Sequence, residues 1–114
     1  MSEDELLQAL TVDLRRGTLV LAVLSCLSQA EYGYSLLQNM EQQGIRIEAN
    51  TLYPLLRRLE SQGLLQSQWD TSESRPRKYY SKNLLGEALY QRLREEWLLM
   101  SKEMEKLLNK ENQK

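Results

Sequence analysis

Asn50, Thr51, Tyr53, Arg57 and Arg58 lie close together in the stretch NTLYPLLRRLESQGLL, residues 50–65. Each offers hydrogen-bond donors, and the two arginines add permanent positive charge. Asparagine and arginine suit base edges, arginine and hydroxyls suit phosphates. The chemistry on offer is recognition of a patterned polyanion rather than bond making. The rest of the chain offers no reaction chemistry. It contains no histidine, the commonest general base and metal ligand. It carries no Gly-rich phosphate loop, metal-ligand cluster or nucleophile constellation. The sequence therefore reads as a non-enzyme that needs no cofactor.

A helix would position these donors. Leu52, Leu55, Leu56 and Leu59 repeat at i, i+3, i+4, i+7, the spacing of one buried helical face. The opposite face then presents Asn50, Pro54, Arg57 and Ser61, flanked by Thr51, Tyr53 and Arg58, with Glu60 to the side. Pro54 is best accommodated in a first turn, where its missing N–H costs little. That predicts a start near Asn50; a start near Glu48 would put Pro54 in the second turn and bend the helix. Gly63 ends the helix. Leu64 to Asp70 alternates as a strand, with Leu65, Ser67 and Trp69 on one face, and Trp69 is expected in the core between sheet and helix. Thr71 to Arg77 is a polar hairpin loop, and Lys78 to Ser81 is the returning strand. Arg75, Arg77 and Lys78 make this hairpin a basic wing able to reach phosphates or the minor groove.

Before that helix, Ser2 and Glu5 form a capping-box pattern ahead of Leu6, Leu7 and Leu10. It predicts a short N-terminal helix, separate from or continuous with the next segment. Thr18 to Leu27 is apolar nearly all round; a strand is possible by composition, but its length favours a buried central helix. Gly33, within Tyr32-Gly33-Tyr34, reads as a turn former. Ser35 to Gln43 forms a helix with Leu36, Leu37 and Met40 inward, stopped by Gly44. Ile45 to Glu48 is extended. Two helices so joined make a helix-turn-helix.

The chain has 114 residues and a net charge of −1, consistent with one domain plus an appendage. The charge is unevenly spread: residues 1–45 carry −4, residues 46–82 carry +3 and residues 83–114 are neutral. The positive charge sits around the donor-rich helix and the wing, which matters more for a polyanionic partner than the total does. No apolar run reaches membrane-spanning length and no signal peptide is visible. The lone Cys26 reads as a small hydrophobe, and a reducing cytoplasm is the expected location.

Asn83 can cap a last, long helix that runs to about Asn109, leaving Asn109 to Lys114 as a frayed tail. Along it Tyr90, Leu93, Trp97, Met100, Met104 and Leu107 recur at alternating spacings of 3 and 4, a coiled-coil seam. So small a domain cannot cover that stripe, which predicts a homodimer with Leu6 and Leu10 of the N-terminal helix contributing. Trp97 in such a seam is either core or receptor. In the second case a flat aromatic ligand stacks between two Trp97 rings, with Met100 as adaptable lining and Glu96 balancing a cation. Leu6, Ala9 and Leu10 of the partner's N-terminal helix would line the same cavity.

Beyond these patterns, the chain resembles the PadR family of bacterial transcriptional regulators, in its short form with a single C-terminal helix. The matching residues are Arg16-Gly17-Thr18-Leu19, Gly33-Tyr34, Thr51 to Glu60 with Gly63-Leu64, Arg75-Pro76-Arg77-Lys78-Tyr79-Tyr80, and Gly86. It departs from the family at Asn83, where Thr is usual, and at Glu48-Ala49-Asn50. The resemblance implies a dimeric repressor that binds an inverted repeat of double-stranded DNA and responds to small, often aromatic or cationic, compounds.

The expected fold is mainly α with a small β-hairpin: a winged helix-turn-helix over 1–82 and a coiled-coil-like dimerisation helix over 83–114. The expected DNA contacts are Tyr34, Asn50, Thr51, Tyr53, Pro54, Arg57, Arg58, Arg75, Arg77 and Lys78. Tyr53 and Tyr34 each have a second reading, as packing residues. The recognition helices of a dimer would enter successive major grooves roughly 34 Å apart. A ligand at the seam would favour another spacing. The competing reading is a winged-helix protein that binds a protein partner instead of DNA.

Overall fold

The computed structural model describes residues 1–112. In chain order the elements are α1 (Glu3–Arg16), α2 (Leu19–Ser25), β1 (Glu31–Tyr32), α3 (Gly33–Gln42), α4 (Ala49–Ser61), β2 (Leu65–Asp70), β3 (Arg77–Lys82) and α5 (Leu84–Asn112). This is the expected mixed α+β arrangement with a long last helix. α1 and α2 are separate, broken at Gly17 and Thr18. The Ser2–Glu5 capping box forms in both directions.

The core is built on the leucine face of α4. Leu52, Leu55, Leu56 and Leu59 are buried together with Leu24, Leu27, Leu36, Met40, Leu65 and Tyr80. Each fully buried leucine contributes roughly 2 kcal/mol of apolar transfer free energy, so this face holds the helix more strongly than its intrinsic propensity does. Two glycines set the helix ends. Gly44 and Gly63 have φ of 86° and 85°, a region that glycine enters without a Cβ penalty. After each, the next amide reaches back into the helix: Ile45 N–H to the Met40 carbonyl at 2.9 Å and Leu64 N–H to the Leu59 carbonyl at 2.9 Å. These are Schellman closures, and they aim the chain sharply out of α3 and α4.

Five expectations need correction. The sheet has three strands in the order β1-β3-β2; Glu31 and Tyr32 pair with Tyr80 and Tyr79, a two-residue edge too short to leave a sequence pattern. Gly33 is not a turn former. It opens α3 in ordinary helical backbone, and a Cβ there would overlap the ring of Tyr53 on α4. α4 starts at Ala49 with Glu48 as its unbonded cap, so Pro54 does lie in the second turn and leaves the Asn50 carbonyl without its usual N–H donor. Trp69 is 65% exposed; it follows Leu65 and Ser67 on one face of β2 by alternation, and Ser67 is bonded to Glu60 of α4. Finally, Asn109 to Asn112 continue α5 as helix; the remainder of the expected frayed tail, residues 113 and 114, lies outside the described residues.

α5 is joined to the end of α4. The Asn83 side chain accepts from Gly86 N–H at 2.8 Å as the expected cap, and its Nδ2 donates to the Gly63 carbonyl at 2.7 Å. Asn83 N–H also meets the Leu64 carbonyl at 3.3 Å. Gly86 is buried against that same Leu64 carbonyl, where a Cβ has no room.

Candidate nucleic-acid interface

With its leucines inward, α4 turns the predicted donors outward. Asn50, Thr51, Pro54, Arg57 and Arg58 are exposed, and Tyr53 is half-buried beside the core. Tyr53 thus packs against Gly33 while its open edge flanks the exposed face. Tyr34, on the first turn of α3, is 65% exposed and its hydroxyl accepts from Gln38 Nε2 at 3.2 Å. Among the described residues Arg57, Arg58 and Arg75 form no ion pair.

The wing is less simply basic than its sequence. Arg75 is on the exposed loop between β2 and β3. Arg77 is on β3 rather than in the loop; its guanidinium pairs with Glu73 at 2.6 Å and covers the Tyr32 ring at 5.1 Å. Lys78 Nζ is 3.4 Å from Glu60 Oε1 at the end of α4 and 5.2 Å from the Tyr80 ring centroid. These partners were invisible in the sequence because Glu73 is a hairpin neighbour of Arg77 only once the loop folds, and Glu60 of α4 meets Lys78 of β3 only once the helix packs on the sheet. Surface ion pairs of this kind are worth about 0–1 kcal/mol, so a phosphate can compete for either cation.

Sequence reasoning also missed two carboxylates that knit the wing to the helices. Glu60 accepts from the Ser67 hydroxyl and from Lys78; the Ser67 hydrogen bond, then Lys78, holds its carboxyl below the usual range. Asp70 accepts from the Ser72 hydroxyl at 2.6 Å, the Tyr32 hydroxyl at 2.5 Å and the Ser72 N–H at 3.0 Å. Those bonds, Ser72 first, lower its pKa to about 2. Because the folded pKa is depressed, the stability Asp70 contributes is present above its unfolded pKa of about 3.9 and is lost as pH falls toward 2. The melting-temperature difference between wild type and Asp70→Asn is expected to stay flat from pH 8 to about 5 and to shrink between about pH 4 and 2. A difference that changes across neutral pH would contradict this.

The predicted seam is along α5. Tyr90 is half-claimed by its own domain: its hydroxyl donates to Ser25 Oγ at 3.4 Å and Lys82 sits 4.1 Å above its ring. Leu93, Trp97, Met100, Met104 and Leu107 are exposed, Trp97 to 43%, and Glu96 flanks them. Leu98, Leu99 and Leu108 widen the apolar surface beyond the expected stripe. Among the described residues no member of α1 is buried; Leu6, Leu7, Leu10, Val12 and Leu14 are all open.

A buried-leucine helix with a donor-rich outer face, preceded by a second helix and followed by a hairpin, defines a winged helix-turn-helix protein. The family model described as Transcriptional regulator PadR-like family matches residues 20–92. The chain belongs to this family, whose members are transcriptional regulators, not enzymes; they bind DNA and typically dimerise. A solved PadR family transcriptional regulator from Eggerthella lenta is 48% identical, with a TM-score of 0.88 over 92% of this chain and 94% of that one. A PadR-like transcription factor from Bacteroides fragilis is 27% identical, with a TM-score of 0.74 over 87% and 98%. A transcriptional regulator from Mycobacterium tuberculosis is 39% identical over 57 residues, 50% of this chain; the match spans about half, 53%, of that relative's length. Among the described residues no helix is long and apolar enough to cross a membrane.

Proposed function

We propose that the protein is a homodimeric transcriptional repressor that binds an inverted repeat through α4 and the β2–β3 wing. One observation carries the reading: α4 buries all four of its leucines while Asn50, Thr51, Arg57 and Arg58 face solvent with no competing acidic partner among the described residues. α4 enters the major groove, Arg57 and Arg58 take base edges or phosphates, and Arg75 with Arg77 and Lys78 follows the flanking backbone. Tyr34 and Tyr53 border the same groove, and Pro54 lies between Asn50 and Arg57 on the outer face of α4. Residues 1–82 form the reading unit, and α5, from residue 84 to 112, serves as the dimerisation helix. The unusually large apolar surface on α1 and α5 is what a second copy would cover.

The test is binding to the DNA upstream of the protein's own gene, titrated at several salt concentrations, with Arg75→Ala/Arg77→Ala in parallel. Tight, sequence-specific binding with a steep log–log salt slope supports the reading. Weak binding that ignores both sequence and these arginines favours a protein partner instead.

The effector reading rests on Trp97. Two copies meeting along α5 would bring two indoles together, a stacking slot for a planar cation with Met100 as lining, Glu96 as counter-charge and Leu6 and Leu10 of the partner at its edge. Titrating a planar aromatic cation into Trp69→Phe protein, so that Trp97 is the sole tryptophan, is expected to quench fluorescence saturably and to weaken DNA binding in step. Quenching without any change in DNA affinity would leave a ligand site that regulates nothing, since only differential binding shifts the equilibrium.

A further inference from the structure

We propose that Tyr32 and Asp70 form a latch that fixes the wing's angle against the helices, making Tyr32 a positioning residue for DNA contact by Arg75. This rests on the DNA-binding reading above. A two-stranded hairpin is only marginally ordered on its own; Leu65, Tyr80 and the Glu60 bonds to Ser67 and Lys78 hold its base against α4, and the direction of its tip beyond them needs a further reference. β1 supplies that reference. Tyr32 pairs with Tyr79 of β3 and is also the residue from which α3 starts. Its hydroxyl crosses the outer face of the sheet to Asp70 Oδ2, at the last position of β2. Asp70 uses its other oxygen to hold both the N–H and the hydroxyl of Ser72, the first turn of the wing loop. The Tyr32 ring lies beneath Arg77, which in turn holds Glu73 of the loop, and meets the Tyr79 ring edge-on at 5.7 Å.

On the other side the chain continues directly into Gly33, whose missing Cβ admits the Tyr53 ring of α4. The loop that carries Arg75 is therefore tied to the recognition helix through one contiguous set of contacts: Ser72, Asp70, Tyr32, Gly33, Tyr53. The Tyr32–Asp70 pair lies at the sheet surface, outside the apolar core. Its loss is expected to free the wing more than to unfold the domain.

Tyr32→Phe keeps the ring, its stacking on Tyr79 and its place under Arg77, and removes only the hydroxyl. Asp70→Asn is nearly isosteric and serves as the second variant. Each is expected to speed amide exchange across residues 71–76 while exchange in α2 and α4 stays unchanged. Operator affinity is expected to fall about tenfold, with Arg75→Ala then adding less than about twofold in the Tyr32→Phe background against about tenfold in wild type. Wild-type affinity in both variants, or an Arg75→Ala penalty equal in the two backgrounds, overturns the latch. Unchanged exchange at 71–76 overturns it independently of DNA. A wild-type protein that binds no DNA overturns instead the regulator reading on which the latch's role depends.

Discussion

Arg57→Ala/Arg58→Ala is expected to weaken specific DNA binding by about 100-fold or more, because each arginine side chain lost from a base edge or phosphate costs about 1–3 kcal/mol and about 1.4 kcal/mol is a factor of ten. The salt dependence should change with it. Removing two phosphate-neutralising cations lowers the log–log slope by about 2; two pure base contacts would cost affinity with the slope kept. The fold should be untouched, since both side chains are exposed and form no ion pair among the described residues, and alanine is the best helix former. The comparison needs operator and random DNA at matched salt, with melting temperature as the control. A loss under about threefold on both DNAs would remove α4 as the reading element and shift weight to a protein-binding use of the same groove.

The second large effect is on stability. Gly86→Ala places a Cβ onto the Leu64 carbonyl. That oxygen is backbone and already receives Asn83 N–H, so no rotamer change relieves the overlap. The first turn of α5 must lift from the end of α4, straining the Asn83–Gly63 bond beside it. A destabilisation of about 3 kcal/mol is expected, at the upper end for overpacking, despite alanine's better helix propensity. Gly33→Ala should be milder, because the obstacle there is the Tyr53 ring, which has some freedom to tilt. Denaturant unfolding of both variants distinguishes the cases; equal midpoints for Gly86→Ala and wild type would mean that α5 docks more loosely than its contacts imply.

What was legible in the sequence follows from the range of the interactions. The leucine repeat of α4, the Ser2–Glu5 box, the stops at Gly44 and Gly63 and the Asn83 cap are all settled within a few residues, and each is found in the structure. Pro54 misled because propensity favours a first-turn proline by a modest margin, while burying Leu52 through Leu59 holds the helix from Ala49 regardless. Trp69 misled because strand alternation predicts the face of a sheet and not where the covering helix ends. The Tyr32–Asp70 contact joins residues 38 apart, and β1 is two residues long; neither leaves a periodic trace. The partners of Arg77 and Lys78 were hidden for the same reason, so the wing read as more freely cationic than it is.

If the joint at Gly63, Leu64 and Asn83 moved as one body, α4 and α5 would act as a single lever. From Leu84 to Trp97 the arm along α5 is about 20 Å, and α4 from its Gly63 end to Ala49 is also about 20 Å, at 1.5 Å per residue. The arm ratio is close to one. A rotation that carries the Trp97 backbone by 1 Å, about 3°, therefore carries the far tip of α4 by no more than about the same distance. In a two-fold symmetric pair the separation of the two tips would change by at most about twice that. This mechanism has no gain. On the proposed reading, an effector that merely reoriented an indole would leave the reading heads in register with their grooves, and only one that drove the two α5 helices apart by several ångströms would silence them.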